Sequence, residues 1–179
     1  MPRALIIVDF QNDFTPGGAL PVPHGDEIAA RIGQLVDGGG FDLVVATRDW
    51  HPPDHSSFAA QGGPWPVHCV AGMPGAQLHP ALATAQVDLI VDKGRDRTAP
   101  GYSAFEGTAL GGQLADRGID ELTICGLATD YCVRSTALDA LRLGFRVSVD
   151  SAGVRGVDVH PGDSERALAE LRESGVTVD

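Results

Sequence analysis

Apolar residues along the chain fall into six short runs, and the segments between several of them carry helical spacing. Residues 4–8 are continuously apolar and end on Asp9. Residues 43–46 lead into Thr47-Arg48-Asp49, and 87–91 lead into Asp92-Lys93. Further runs lie at 122–125, 146–149 and 176–178. The unbroken run at 4–8 reads as a strand buried on both faces, 43–46 as a second buried strand, and the other short stretches as strands. Helical spacing appears at 24–36, with Ile28, Ile32, Leu35 and Val36 on one side and Gly38-Gly39-Gly40 as the stop. It appears again at 108–117, at Val133, Ala137, Leu138 and Leu141 before Gly144, and at 162–174. The alternation predicts an α/β fold with a six-stranded, mainly parallel sheet and about five helices. Right-handed crossovers would cover both sheet faces, giving three α/β/α layers in one domain spanning 1–179.

The chain is organised around residues 123–144. A strand leads into the tight Gly126-Leu127-Ala128 turn and then into a helix that Thr129 or Asp130 can cap. Cys132 falls in the first turn of that helix, where the dipole and unpaired N–H groups favour a thiolate. A cysteine on such an elbow is a candidate nucleophile; the plainer reading is a small buried side chain under the sheet. Asp9 and Lys93 also sit at strand ends, where open α/β sheets place ligands, although a lone aspartate there can simply brace a loop. Three strand ends therefore bring Asp9, Lys93 and Cys132 toward one crevice.

Residues 52–80 form a long segment dense in Pro, Gly and His, longer than a compact domain usually keeps without a reason. On it or at its root lie Asp49, His51, His55 and His68, a donor set that suits a divalent metal such as zinc, iron or manganese. Loop packing is the alternative for those histidines. His24, His79 and His160 read as surface residues.

Composition narrows the class. At 179 residues, 43% hydrophobic and 21% charged, the chain matches an ordinary globular domain with a sizeable core. A formal net charge of -11 argues against nucleic acid and against an anionic membrane surface as partners. It leaves a homo-oligomer open. Three cysteines, Cys69, Cys125 and Cys132, with no CxxC pair, fit a reducing compartment, and no segment reaches transmembrane length, so a cytoplasmic location is expected. GxGxxG, Walker and GxSxG motifs are absent from the sequence.

Taken together, Ala-Leu-Ile-Ile-Val-Asp9-Phe-Gln-Asn-Asp-Phe14, Thr-Arg-Asp49-Trp-His51-Pro-Pro-Asp-His55, Trp65-Pro-Val-His68, Asp92-Lys93-Gly and Gly126-Leu-Ala-Thr-Asp-Tyr-Cys132-Val form a specific pattern. It resembles the nicotinamidase and pyrazinamidase branch of the isochorismatase-like cysteine hydrolases, over nearly the whole chain. The resemblance implies an isochorismatase-like, Rossmann-like fold and hydrolysis of nicotinamide, a small-molecule substrate, to nicotinate and ammonia through a thioester. Carried over residue by residue, Cys132 would be the nucleophile, Asp9 the proton acceptor and donor, and Lys93 the third member of the triad. Asp49, His51, His55 and His68 would ligate one divalent ion, Zn2+, Fe2+ or Mn2+, that holds the pyridine nitrogen. Phe14, Trp65 and Tyr102 would line the ring pocket. A cis Leu127–Ala128 peptide would turn the N–H groups of Ala128 and Cys132 into an oxyanion hole. Tyr131 stands where this branch commonly has histidine, with its side chain expected to point away from the nucleophile. A sister amidase acting on another small amide or an N-carbamoyl compound is the main alternative. An isochorismatase is disfavoured by the cysteine, and a non-catalytic metal-binding domain by the converging triad.

Overall fold

The structure, a computed structural model, describes residues 1–84 and 87–179. Six strands form one parallel sheet in the order β3-β2-β1-β4-β5-β6. They are β1 (Arg3–Val8), β2 (Leu43–Asp49), β3 (Leu89–Lys93), β4 (Glu121–Leu127), β5 (Arg146–Arg155) and β6 (Thr177–Val178). The α-helices are α1 (Ala29–Asp37), α2 (Leu110–Asp116), α3 (Arg134–Arg142) and α4 (Asp163–Ser174). Among the described residues that is four α-helices, not five. The stretch expected to begin a helix at His24 instead opens with a single 3-10 turn, Gly25–Ile28, before α1.

Alternation along the central strand sorts side chains into two cores. Leu5 and Ile7 join Ile28 and Ile32 on the α1 face, together with Phe10, Phe14 and Cys69 from the loops. Ala4, Ile6 and Val8 join Leu110 and Leu114 of α2, Val133 and Ala137 of the elbow and α3, and Leu171 of α4. Both faces of β1 are therefore covered, and each large aliphatic side chain buried there contributes about 1.5–3 kcal/mol. This is the expected three-layer α/β/α architecture, with one helix and the long loops on one face and three helices on the other. No helix among the described residues is long and apolar enough to cross a membrane.

Several strands depart from the sequence expectation: β2 runs on to Asp49 and β4 to Leu127. β3 begins two residues later and ends on Lys93 itself. β5 does not stop at Val149 but continues to Arg155. Its register against β4 shifts between Ile124 and Gly126, a bulge that absorbs the turn-like Asp150-Ser-Ala-Gly153 stretch. The Asp150 carboxylate accepts the Gly153 N–H at 2.8 Å and pairs with Arg31 at 2.5 Å, so polar residues that suggest a strand end are held inside the ladder.

The strand order reverses between β1 and β4, the switch point at which open α/β sheets bind ligands. Close approach there requires glycine at 126. Its φ is +113°, and a Cβ would sit 2.1 Å from the Val8 carbonyl oxygen.

Candidate active site

Asp9 leaves β1 with φ +47°, a left-handed conformation that aspartate tolerates better than most residues. The residue is fully buried. Its backbone N–H donates to the Thr47 carbonyl at 3.1 Å, and the Thr47 hydroxyl donates to Oδ1 at 2.8 Å. Oδ2 lies 2.8 Å from Lys93 Nζ in an ion pair.

Lys93, 1% exposed, is the hub of the site. Its ammonium donates to Asp49 Oδ1 at 2.7 Å, to the Gly101 carbonyl at 2.9 Å and toward Cys132 Sγ at 3.4 Å. One carboxylate oxygen each from Asp9 and Asp49 and the Cys132 sulfur lie within 4.8 Å of one another. The three strand ends picked out by the sequence, those carrying Asp9 and Lys93 and the one ahead of Cys132, meet in one buried constellation.

Electrostatics sort these groups. Burial raises the Asp9 carboxyl, Lys93 opposes, and Asp49 adds to the rise, leaving Asp9 at about 6. Burial also works to raise Asp49, but Lys93 and His51 outweigh it and hold that carboxyl below the usual range. Lys93 is pushed well up, because Asp49 and Asp9 overcome the cost of its burial. Burial pushes the Cys132 thiol well up against the pull of Lys93. The helix-start thiolate expected from sequence is therefore corrected: Cys132 rests as a thiol, and a nearby base must take its proton.

The elbow differs from a simple capped helix. Residues Thr129–Val133 form one wide π turn before α3, with the Val133 N–H reaching back to the Ala128 carbonyl at 3.1 Å. Neither Thr129 nor Asp130 caps it through a side chain. Asp130 instead accepts the N–H groups of Val157 and Asp158 at 2.9 and 2.8 Å, tying the elbow to the segment after β5. The Leu127–Ala128 peptide is cis.

Beside the triad, Asp49 Oδ2 faces His51 Nε2 at 3.4 Å and His68 Nε2 at 4.0 Å. The three residues are buried and offer donor atoms within 4.8 Å of one another. The other nitrogen of His51 is hydrogen-bonded to the Gly94 carbonyl at 2.7 Å, and that of His68 to the Pro66 carbonyl at 2.8 Å. Backbone carbonyls on Nδ1 leave each Nε2 free to act as a ligand, the outer-shell arrangement that metal-binding histidines use. One carboxylate and two imidazoles fit a divalent ion with open positions left for other ligands. Gly94 is needed here too: at φ +65°, a Cβ would lie 2.5 Å from the His51 ring. His55 does not join this cluster. Its ring stacks on His51 at 4.0 Å, but Nδ1 bonds Ser57 Oγ at 2.7 Å and Nε2 meets the Ala99 carbonyl at 3.0 Å, so both nitrogens are engaged elsewhere. His24 and His160 are exposed, and His79 is half-buried against Phe10.

Phe14, Trp65 and Tyr102 line one pocket with Cys132, Asp49 and His68. Trp65 Nε1 donates to the Tyr102 hydroxyl at 3.0 Å, locking two walls together. Tyr131 lines the same pocket, its ring against Trp65 and Tyr102. Gln11, in the loop after β1, is a further contributor. Its fully buried amide donates to the carbonyls of Asp49 and Ala76, both at 2.9 Å, and accepts the Asp49 N–H at 2.9 Å. It clamps the backbone of the residue that serves both Lys93 and the histidines. Its signal in the sequence is its place three residues past β1, inside the motif that runs from Asp9 to Phe14.

The chain belongs to the isochorismatase family, whose domain profile matches residues 3–178. Within that family it stands in the nicotinamidase and pyrazinamidase branch. The nicotinamidase of Escherichia coli is 43% identical over 200 residues, covering 99% of this chain and 94% of that protein. The nicotinamidase/pyrazinamidase of Mycobacterium tuberculosis is 44% identical, covering 97% and 96%. The crystal structure of a Pyrococcus horikoshii pyrazinamidase in complex with zinc superposes with a TM-score of 0.91 at 44% identity, covering 100% of this chain and 99% of that one.

Proposed function

We propose that residues 1–179 act as one hydrolase domain that converts nicotinamide to nicotinate and ammonia, and that deamidates pyrazinamide as well. The observation that carries this reading is the Lys93 ammonium in contact with both the Cys132 sulfur and the Asp9 carboxylate, with Cys132 itself lining an aromatic pocket.

Asp9 takes the Cys132 proton, and the sulfur attacks the amide carbon. The N–H groups of Ala128 and Cys132 hold the developing oxyanion. Asp9 then passes its proton to the departing ammonia, leaving a thioester. Water activated by Asp9 opens that thioester, and the thiol is restored. Lys93 offsets the negative charge that builds on sulfur and carboxylate. Phe14, Trp65 and Tyr102 sandwich and orient the ring. Asp49, His51 and His68 would hold a divalent metal, which when bound supplies a Lewis acid for the ring nitrogen of the substrate.

Ammonia release from nicotinamide and pyrazinamide, against N-carbamoyl compounds as the contrast, tests the reading. Turnover of the two aromatic amides is expected; turnover of the carbamoyl compounds alone would replace it with the sister amidase. Metal content provides a second check. Elemental analysis should find His51→Ala and His68→Ala depleted by about tenfold or more. His55→Ala should retain the ion, because its nitrogens face Ser57 and Ala99. Depletion in His55→Ala equal to the other two would restore it as a fourth ligand.

A further inference from the structure

The ring pocket around Cys132 is tight. Its free volume is about 30 Å3, whereas an apolar cavity that accepts benzene measures about 150 Å3. The cleft is open on one side, so the room for an aromatic amide beside the sulfur depends on how far its walls part. Next to the pocket runs an open surface groove of about 330 Å3. Among the described residues, Tyr131 is the one side chain that lines both.

Its surroundings single it out as the moving wall. Trp65 and Tyr102 are joined by their own hydrogen bond, and Phe14 is buried against the His68 ring at 5.6 Å. Tyr131 is only half-buried and meets its neighbours by ring contact, edge-on to Trp65 at 5.0 Å and tilted against Tyr102 at 5.6 Å. Its backbone is fixed, since the Tyr131 N–H donates to the Ala128 carbonyl at 3.1 Å and Asp130 is anchored to residues 157 and 158. Rotation about the side-chain bonds is thus the available motion, on the fast timescale of partly exposed side chains. The groove can receive the ring. Arg134 and Arg166 line it, each paired with a carboxylate, and a guanidinium is a favourable seat for an aromatic face.

We propose that Tyr131 is the gate and size filter of the ring pocket, closing it against Trp65 and Tyr102 and admitting a planar aromatic guest by swinging into the outer groove. The identity of that guest as an aromatic amide rests on the function proposed above; the gate itself does not.

Two thiol reagents of different size read the gate directly. Cys132 alkylation by iodoacetamide and by N-phenylmaleimide is followed by peptide mass spectrometry in wild type, Y131A and Y131F. Cys69 and Cys125, both fully buried, report any loosening of the fold. Y131A should accelerate the bulky reagent by about tenfold or more, the low end of what a changed pocket wall gives, and the small reagent far less. Y131F, which keeps the ring, should leave the ratio of the two rates at the wild-type value. An unchanged ratio in Y131A overturns the proposal. Should Y131A expose Cys69 and Cys125, Y131L carries the same comparison. In turnover, kcat/KM for quinoline-3-carboxamide relative to nicotinamide should rise in Y131A; a fixed ratio counts against the gate. A wild-type protein that released ammonia from no aromatic amide would sink the proposed function, while the alkylation ratio would still decide the gate.

Discussion

Cys132→Ala is expected to lose at least about 10^4-fold in ammonia release, the scale seen when a nucleophile is removed from groups that act as a unit. The sulfur lies 3.4 Å from the Lys93 ammonium, on the floor of the pocket that would hold the amide. Burial keeps it protonated, so it depends on Asp9, whose carboxyl sits at about 6 and is largely ionised at neutral pH. Without the thiol no thioester forms, and whatever rate survives comes from water and the bound geometry alone. The fold should persist, because deleting one sulfur atom from a site bounded by a polar cluster costs about 1 kcal/mol. An ammonia assay paired with a thermal melt checks both halves. Near-normal turnover in a folded variant would remove Cys132 from the mechanism.

Lys93→Met should have the largest effect on stability. The ammonium is the shared counter-charge of two buried carboxylates, Asp9 at 2.8 Å and Asp49 at 2.7 Å. Removing it takes away the only full counter-charge in contact with Asp9 and leaves Asp49 with His51 alone, at a cost of about 3–5 kcal/mol. The pH dependence has a definite sign. In the wild type, Asp49 is held below the usual carboxylate range, a contribution lost only in acid beyond that range, while Asp9, raised to about 6, adds some stability as pH falls toward about 5.5. In the variant that pull is gone, both folded-state values rise, and the folded state binds protons more readily than the unfolded chain. The variant therefore gains relative stability as pH falls, and the gap between the two proteins narrows. Urea midpoints at about pH 7.5 and 5.5 read this directly. A gap of equal size at both values would mean that the carboxylates are not what Lys93 holds in place. Turnover should collapse in the same variant, since the charge beside the sulfur has gone.

Much of this arrangement was legible before any coordinates. The strand before Asp9 announces itself as an unbroken apolar run and the one before Lys93 as a short apolar-rich stretch, so the placement of both residues at strand ends followed from local sequence. The loop histidines announced themselves by type and spacing. What stayed hidden depended on partners far along the chain or on helix phase. Gln11 is ordinary until residues 38 and 65 positions away present their carbonyls to it. His55 has the right side chain, but Ser57 and Ala99 take its nitrogens. β5 looked finished at Asp150 because a bulge was needed to carry that stretch through the sheet. The elbow reads as a capped α-helix, whereas the chain makes a wider turn there with the Val133 N–H reaching back five residues.

The reacting groups and the walls of the pocket come from different parts of the chain. Asp9, Asp49 and Lys93 ride on strand ends whose spacing is set by the backbone ladder, while Phe14, Trp65 and Tyr102 come from loops outside it. Bond-breaking power and guest choice can therefore change independently. A lineage that rewrote the loops would meet new amides with its thiol, base and counter-charge undisturbed, and a designer seeking altered selectivity has the same freedom.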